Sequence, residues 1–228
     1  MRVHCLQHAG HETLGSIEPW LKKRRHAISC TRLYAGEALP PPESLDWLVI
    51  LGGPMNIYQY RKYPWLKPER RFIEQVLVGN RKVLGICLGA QLLADVLGGK
   101  TRPNEHSEIG FFNVYSDQNN AHSDLLSAIP AGSEVLHWHR DTYDLPPGAI
   151  RHHKSDACVN QSFTWGPRVL GLQFHLEVSR QEAAHWLELA NPPPSSHVQA
   201  AGEILARPER FEATHRMMDR LLDGFAKP

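Results

Sequence analysis

The chain has 228 residues, 42% of them hydrophobic, which is enough for one substantial core and too little for a second large domain. Its 25 Lys and Arg against 24 Asp and Glu leave a formal charge of +1 without long like-charge blocks, so there is no electrostatic footprint for nucleic acid or an anionic membrane. The one basic cluster, Lys22 to Arg25, reads as a solvated helix end, and no apolar run reaches the ~20 residues needed to cross a bilayer.

From the N-terminus, Met1–Gln7 reads as a strand, Leu14–Arg25 as a helix and Ala27–Leu33 as a second strand, followed by a turn-rich link through Pro40, Pro41 and Pro42. Trp47–Leu51, nearly all apolar, is expected to be a strand buried on both faces. The turn Gly52-Gly53-Pro54 and a tyrosine-rich loop lead to a helix over Trp65–Val78 and a strand over Lys82–Ile86. A helix follows at once, with Leu92, Leu93, Val96 and Leu97 at the spacing of a buried face. Strands alternating with helices predict an α/β fold with a doubly wound, mostly parallel sheet whose ligands bind beyond the carboxyl ends of its strands. GFFNVYS, SEVLHWH and ACVNQSFTW, between Lys100 and Phe163 or just beyond, read as strands of a small antiparallel extension. Val169–Val178 is another apolar strand, and Ser179 with Glu182 forms a capping-box start for a helix to about Ala190. Residues 1–190 are thus expected to form the catalytic domain, and residues 191–228 a helical extension packed on it, with one or two helices between Val198 and Phe225.

Cys5, Cys30, Cys87 and Cys158 are scattered singly, and the opening MRVHCLQHAG lacks the apolar core of a secretory signal, so a reducing cytoplasm is the expected setting. The pairs His137 with His139 and His152 with His153 fit no recognised ligand framework, and neither a metal site nor a cofactor is expected.

The chemistry centres on VLGICLGAQLLADVLGG, residues 83–99, where a cysteine is wedged between glycines on a strand-to-helix turn. Gly85 and Gly89 stand two residues either side of Cys87, where so sharp a reversal needs residues without bulk, as in a nucleophile elbow with Cys in place of Ser. A thiol at a helix N-terminus feels the positive end of the dipole, which favours the thiolate. The proton carrier such a nucleophile needs is best supplied by His175 in Phe174-His175-Leu176-Glu177. On an extended segment Glu177 shares a face with His175 and holds its imidazole in the productive tautomer. An oxyanion formed by attack on a carbonyl would meet the backbone N–H of Leu88 and that of Gly53, whose turn follows a buried strand directly.

Taken together, LGGPMN, GICLGAQLLA, EIGF (Glu108 to Phe111), HWHRDTYDLPPGA and LGLQFHLEV resemble a class I glutamine amidotransferase domain of the triad type, in particular stand-alone proteins similar to the glutaminase part of GMP synthase. The resemblance covers about Leu51 to Val178 in family order and implies a flavodoxin-like fold. It implies Cys87 as nucleophile, His175 as acid and base, Glu177 as its orienting partner and Gly53 and Leu88 as oxyanion donors. It further implies that Gln91 helps hold the substrate glutamine and that Trp138, His139 and Asp141 contact its amino-acid end. Many relatives have glycine where this chain has Arg140.

The implied reaction is hydrolysis of the γ-carboxamide of glutamine, or of a γ-glutamyl amide, through a γ-glutamyl-cysteine thioester. With no GxxxxGK[ST] loop and no room for a nucleotide-activating domain, the chain is not expected to make GMP alone. It would feed ammonia to a separate synthetase subunit, act alone as a γ-glutamyl peptidase or transferase, or serve as a non-catalytic regulatory member of the fold.

Overall fold

Four consecutive buried residues, Trp47 to Ile50, lie near the centre of the sheet and explain how the molecule is layered. Successive side chains on a strand point to opposite faces, so an all-apolar strand requires a cover on both. Trp47 and Val49 pack with Trp20, Leu21, Met218, Leu221 and Leu222 on one face. Leu48 and Ile50 pack with Phe72, Ile73, Val76, Leu92 and Leu93 on the other.

The computed structural model describes residues 1–117, 125–190 and 192–227, so the boundary expected at 190/191 falls beside a residue outside the described ones. In chain order the elements are β1 (Arg2–Gln7), α1 (Ile17–Lys23), β2 (Ala27–Arg32), β3 (Trp47–Ile50), α2 (Leu66–Val78), β4 (Lys82–Ile86), α3 (Leu88–Val96) and β5 (Thr101–Ser116). Then come β6 (Ser133–Tyr143), β7 (Ile150–Lys154), β8 (Ser162–Trp165), β9 (Val169–Leu172), α4 (Arg180–Leu189), α5 (Ala201–Leu205) and α6 (Pro208–Phe225). The strands form one sheet of order β2-β1-β3-β4-β9-β8-β7-β5-β6. The first five run parallel and the rest alternate, which makes the antiparallel extension as long in strand pairings as the parallel half. The order reverses between β1 and β3, and ligands of such sheets bind at the carboxyl ends beside that switch point.

One expected strand differs from the structure, and one strand of the structure was not expected. The apolar stretch Val169–Val178 is not one strand: β9 stops at Leu172, because the Gln173 amide donates to Gln161 O at 2.8 Å and the His175 amide to Leu136 O at 2.8 Å. Those bonds bend the chain from β8 towards β6. Strand β7, Arg151-His152-His153-Lys154 after Ile150, carries no apolar alternation, yet buries both histidines by bonding them to Thr164 and Ser162 of β8, each at 2.8 Å.

Helix α4 starts on the capping box of Ser179 and Glu182, both halves of which form. Helix α6 lays Met217, Met218, Leu221, Leu222 and Phe225 into the same cluster as Trp20 and Trp47, with the Phe225 ring 5.4 Å from Trp47. The Lys82 ammonium, on the central strand β4, donates to Phe225 O at 2.8 Å. Among the described residues no helix is long and apolar enough to cross a membrane.

Candidate active site

The site is assembled where β1, β3, β4 and β9 deliver their carboxyl ends. Cys87 follows β4 and precedes α3, at φ +51° and ψ −107°, in a region that residues with a Cβ seldom adopt. It is held there by its amide, which donates to Leu172 O of β9 at 2.7 Å. The two glycines beside it are required by close approach. A Cβ on Gly85 would lie 2.5 Å from Gly89 O, and one on Gly89 would lie 2.1 Å from Ile50 O. Strained turns of this kind push the side chain out beyond the sheet, and here the Cys87 sulfur, 7% exposed as a residue, meets the Trp138 carbonyl at 3.7 Å.

His175 and Glu177 come together although the strand predicted to carry them ends earlier. His175 Nδ1 donates to Glu177 Oε1 at 2.6 Å, and Glu177 Oε2 accepts from the Leu176 amide at 3.0 Å. This fixes the proton on Nδ1 and leaves Nε2 as the nitrogen able to exchange one with a thiol. Burial disfavours the charged imidazole, but Glu177 and the neighbouring Cys87 sulfur outweigh it and hold His175 well above its ordinary value. The Trp186 ring, 5.0 Å away and edge-on, closes the site over the imidazole.

Leu88 opens α3, so its N–H belongs to the helix's first turn, where backbone donors have no partner within the helix. Gly53 abuts it: a Cβ there would meet Leu88 Cδ2 at 2.7 Å and the His8 Cβ at 2.9 Å. Gly52 faces the other side, where a Cβ would lie 3.3 Å from His175 Cε1. The remaining residues singled out in the sequence form a polar strip. Gln91 donates to Asp141 O at 3.3 Å and to Gln173 Oε1 at 3.1 Å, which ties α3 to the end of β6. Asp141 accepts from Asn56, beyond the Gly52-Gly53 turn, and half-buried Trp138 stacks edge-on to Trp186 at 5.5 Å. His139 turns away from the thiol, with Nδ1 on Asp141 O at 3.0 Å and Nε2 on Glu108 at 3.1 Å, while Arg140 is exposed.

Sequence reasoning missed two residues carried by the segment after β1. His8 donates from Nδ1 to Gly52 O at 2.9 Å and pairs through Nε2 with Glu69 Oε1 of α2 at 2.7 Å, an arrangement that favours the charged imidazolium. Its burial opposes that charge and Glu69 more than restores it, with the result that its pKa is raised. Glu12 is half-buried, with Oε2 so close to Gly52 that a Cβ there would stand 2.7 Å from it, on the side where His175 Cε1 also lies. Desolvation pushes this carboxyl up to about 7, helped by Glu177 and Glu182 and opposed by His175 and His8. A charged residue shortly after a strand end is the only local signal for either.

The glutamine amidotransferase class-I family matches residues 20–190. The chain is 31% identical, over 98% of its length and 96% of the relative's, to the glutamine amidotransferase-like protein YfeJ of Salmonella typhimurium. It is 36% identical to a subunit of the glutamine-hydrolysing GMP synthase of Haloarcula marismortui over 62% of this chain and 70% of that one. It covers only 30% of the GMP synthase of Aeropyrum pernix, at 32% identity over 69% of its own length. Among solved structures, a glutamine amidotransferase from Thermotoga maritima superposes with a TM-score of 0.89 at 32% identity, over 100% of this chain and 99% of that one. With the family matched over most of its length and the sheet order, elbow and His–Glu pair in place, the chain belongs to the class I glutamine amidotransferases, a family of enzymes.

Proposed function

We propose that this chain hydrolyses the γ-carboxamide of glutamine, with Cys87 as nucleophile, His175 as proton carrier and Glu177 as its orienting partner. The observation that carries the reading is the buried 2.6 Å His175–Glu177 pair beside a cysteine in strained backbone at the start of α3. The Cys87 thiolate attacks the amide carbon, and the electron pair of the C=O bond moves onto oxygen, where the N–H groups of Leu88 and Gly53 receive it. Collapse of that intermediate breaks the C–N bond as His175 gives its proton to the departing nitrogen, so ammonia leaves and a γ-glutamyl thioester remains. The now neutral imidazole takes a proton from water, hydroxide adds to the thioester, and glutamate leaves with the thiolate restored.

The ammonia is passed to a separate synthetase subunit in this reading. Its support is the name of the Haloarcula relative, one subunit of a GMP synthase, and the small share of the Aeropyrum enzyme that the chain spans. The experiment is a substrate panel of glutamine and γ-glutamyl amides with glutamate and ammonia both measured, run on the chain and on Cys87→Ala. Glutamate release from glutamine that disappears in Cys87→Ala, with a glutamine-analogue electrophile labelling Cys87 alone, is the expected result. Turnover of γ-glutamyl peptides in preference to glutamine would replace the substrate assignment, and near-normal turnover by Cys87→Ala would remove the nucleophile.

A further inference from the structure

Strands β5 and β6 pair so that Glu108 lies opposite His139, and His137, two residues earlier on β6, projects to the same face. The three are sealed from solvent, at 1%, 5% and 0% exposure respectively. Their polar atoms converge. Glu108 Oε2 is 3.1 Å from His139 Nε2 and 3.9 Å from His137 Nδ1, and one ligand atom from each lies within 4.8 Å of the other two. Donors in a tetrahedral shell with bonds of ~2.0–2.1 Å are ~3.3 Å apart, which these separations bracket.

The protonation of the cluster needs a positive charge at its centre. His139 Nδ1 faces the Asp141 carbonyl, an acceptor only, so it carries a proton. In the neutral ring Nε2 then presents a lone pair to a carboxylate oxygen 3.1 Å away, and either a second proton or a metal ion must lie between them. His137 separates the two cases. Among the described residues neither of its nitrogens has a side-chain partner in good hydrogen-bond geometry, and the backbone of Phe112 is the polar group that reaches the ring. A proton on His139 leaves Nδ1 of His137, 3.9 Å from Glu108 Oε2, unpartnered in a dry interior, whereas an ion between the three takes it up.

Gln161 repeats the pattern. Its Nε2 is 2.6 Å from the same Glu108 oxygen, 3.0 Å from the Ser155 hydroxyl and 3.5 Å from His139 Nε2, while among the described residues its Oε1 has no partner. Half a turn of the carboxamide brings that oxygen to the same point as a fourth donor. The outer contacts are those of an oriented ligand set, with Asp141 O on the far nitrogen of His139 and the Ser155 hydroxyl donating to Glu108 Oε1 at 2.7 Å. A cavity of about 230 Å³, walled by Glu108, Phe112, Asp156 and His197 among others, adjoins the cluster on the Glu108 side.

We propose that Glu108, His137 and His139, with Gln161 as fourth donor, form a buried structural site for one divalent transition ion of the zinc class. Two imidazoles with a carboxylate suit such an ion and do not suit calcium or magnesium, which prefer oxygen alone. The ion would brace β6 one residue either side of Trp138, whose carbonyl meets the Cys87 sulfur.

The test uses the full chain in a Cys87→Ala background, which removes the site thiol as a competing ligand. Protein stripped with a chelator is titrated with Co²⁺ and, separately, Zn²⁺. One equivalent of Co²⁺ is expected, with the visible bands of a four-coordinate nitrogen and oxygen site and no thiolate charge-transfer band, and Zn²⁺ should raise Tm by several degrees. His137→Phe should abolish both effects. Glu108→Gln, which keeps the shape of the side chain, should weaken Co²⁺ binding at least tenfold and decides the matter if His137→Phe does not fold. No equivalent bound above the stripped blank, or binding that persists unchanged in the folded variants, for example through the exposed His106 beside His197, would overturn the proposal.

Discussion

Glu177 spends both carboxylate oxygens on its neighbours, one on His175 Nδ1 and one on the Leu176 amide, so replacing it with glutamine keeps an oxygen for one of the two and alters the charge. Orientation should be partly retained. His175→Ala is therefore expected to lower single-turnover acylation by the ~10²–10⁴-fold typical of a lost proton carrier, and Glu177→Gln by less; equal losses would sink this division of labour. Glu12 supports a prediction about stability. Because burial raises its carboxyl to about 7, the folded protein keeps a proton there that the unfolded chain has already lost above the ordinary carboxylate range. The folded state then binds more protons than the unfolded one, and stability falls as pH rises through that window. Glu12→Gln carries no such proton, so its Tm relative to the parent should rise between pH 5 and pH 8, and a difference that is flat or reversed across this range would refute the placement. Cys87, His175 and Glu177 were legible in the sequence because each belongs to a short contiguous motif. His8 and Glu12 were not, since Gly52, Glu69 and His175 are brought to them only by the folded sheet.

At the level of elements, legibility followed periodicity. Lys82–Ile86 and the helix after it are read directly from apolar spacing, whereas Val169–Val178 is uniformly apolar and hides the bend after Leu172, which depends on the carbonyls of Gln161 and Leu136. A chain that leaves its strand for a tertiary hydrogen bond gives no local warning. The contact between α3 and β3 is equally specific and can be tested by adding one carbon. Gly89→Ala would drive a Cβ to 2.1 Å from a backbone oxygen that cannot swing aside, and is expected to cost ~1–3 kcal/mol or more in urea denaturation and to displace Cys87. Gly202, within α5, would carry a Cβ with nothing within 4 Å of it, so Gly202→Ala should be neutral or stabilise by up to ~1 kcal/mol. Equal effects of the two substitutions would show that backbone approach is not what requires glycine at position 89.

Across the whole molecule, the site is closed by segments far apart in the chain. Ser16, just before α1, donates its amide to Glu177 O at 2.9 Å, Trp186 of α4 donates to His11 O at 3.2 Å, and the N–H of Cys87 depends on Leu172 of β9. Strand β9 enters the sheet between β4 and β8, so the middle of the sheet is completed late in the sequence. During synthesis this order has a consequence in time. Cys87 leaves the ribosome well before His175, and at ~5–20 residues per second the interval between the end of β4 and the start of β9 is on the order of 4–17 s. Throughout that interval the outer edge of β4 lacks β9, and Cys87 lacks His175. Nascent chains stalled before residue 169 should therefore resist a glutamine-analogue electrophile that labels the released protein, and labelling of the stalled chains at Cys87 would show that the elbow arms itself without β9. On the proposed reading the same delay guards the cell's glutamine, since the residue assigned to attack it is made early and completed last.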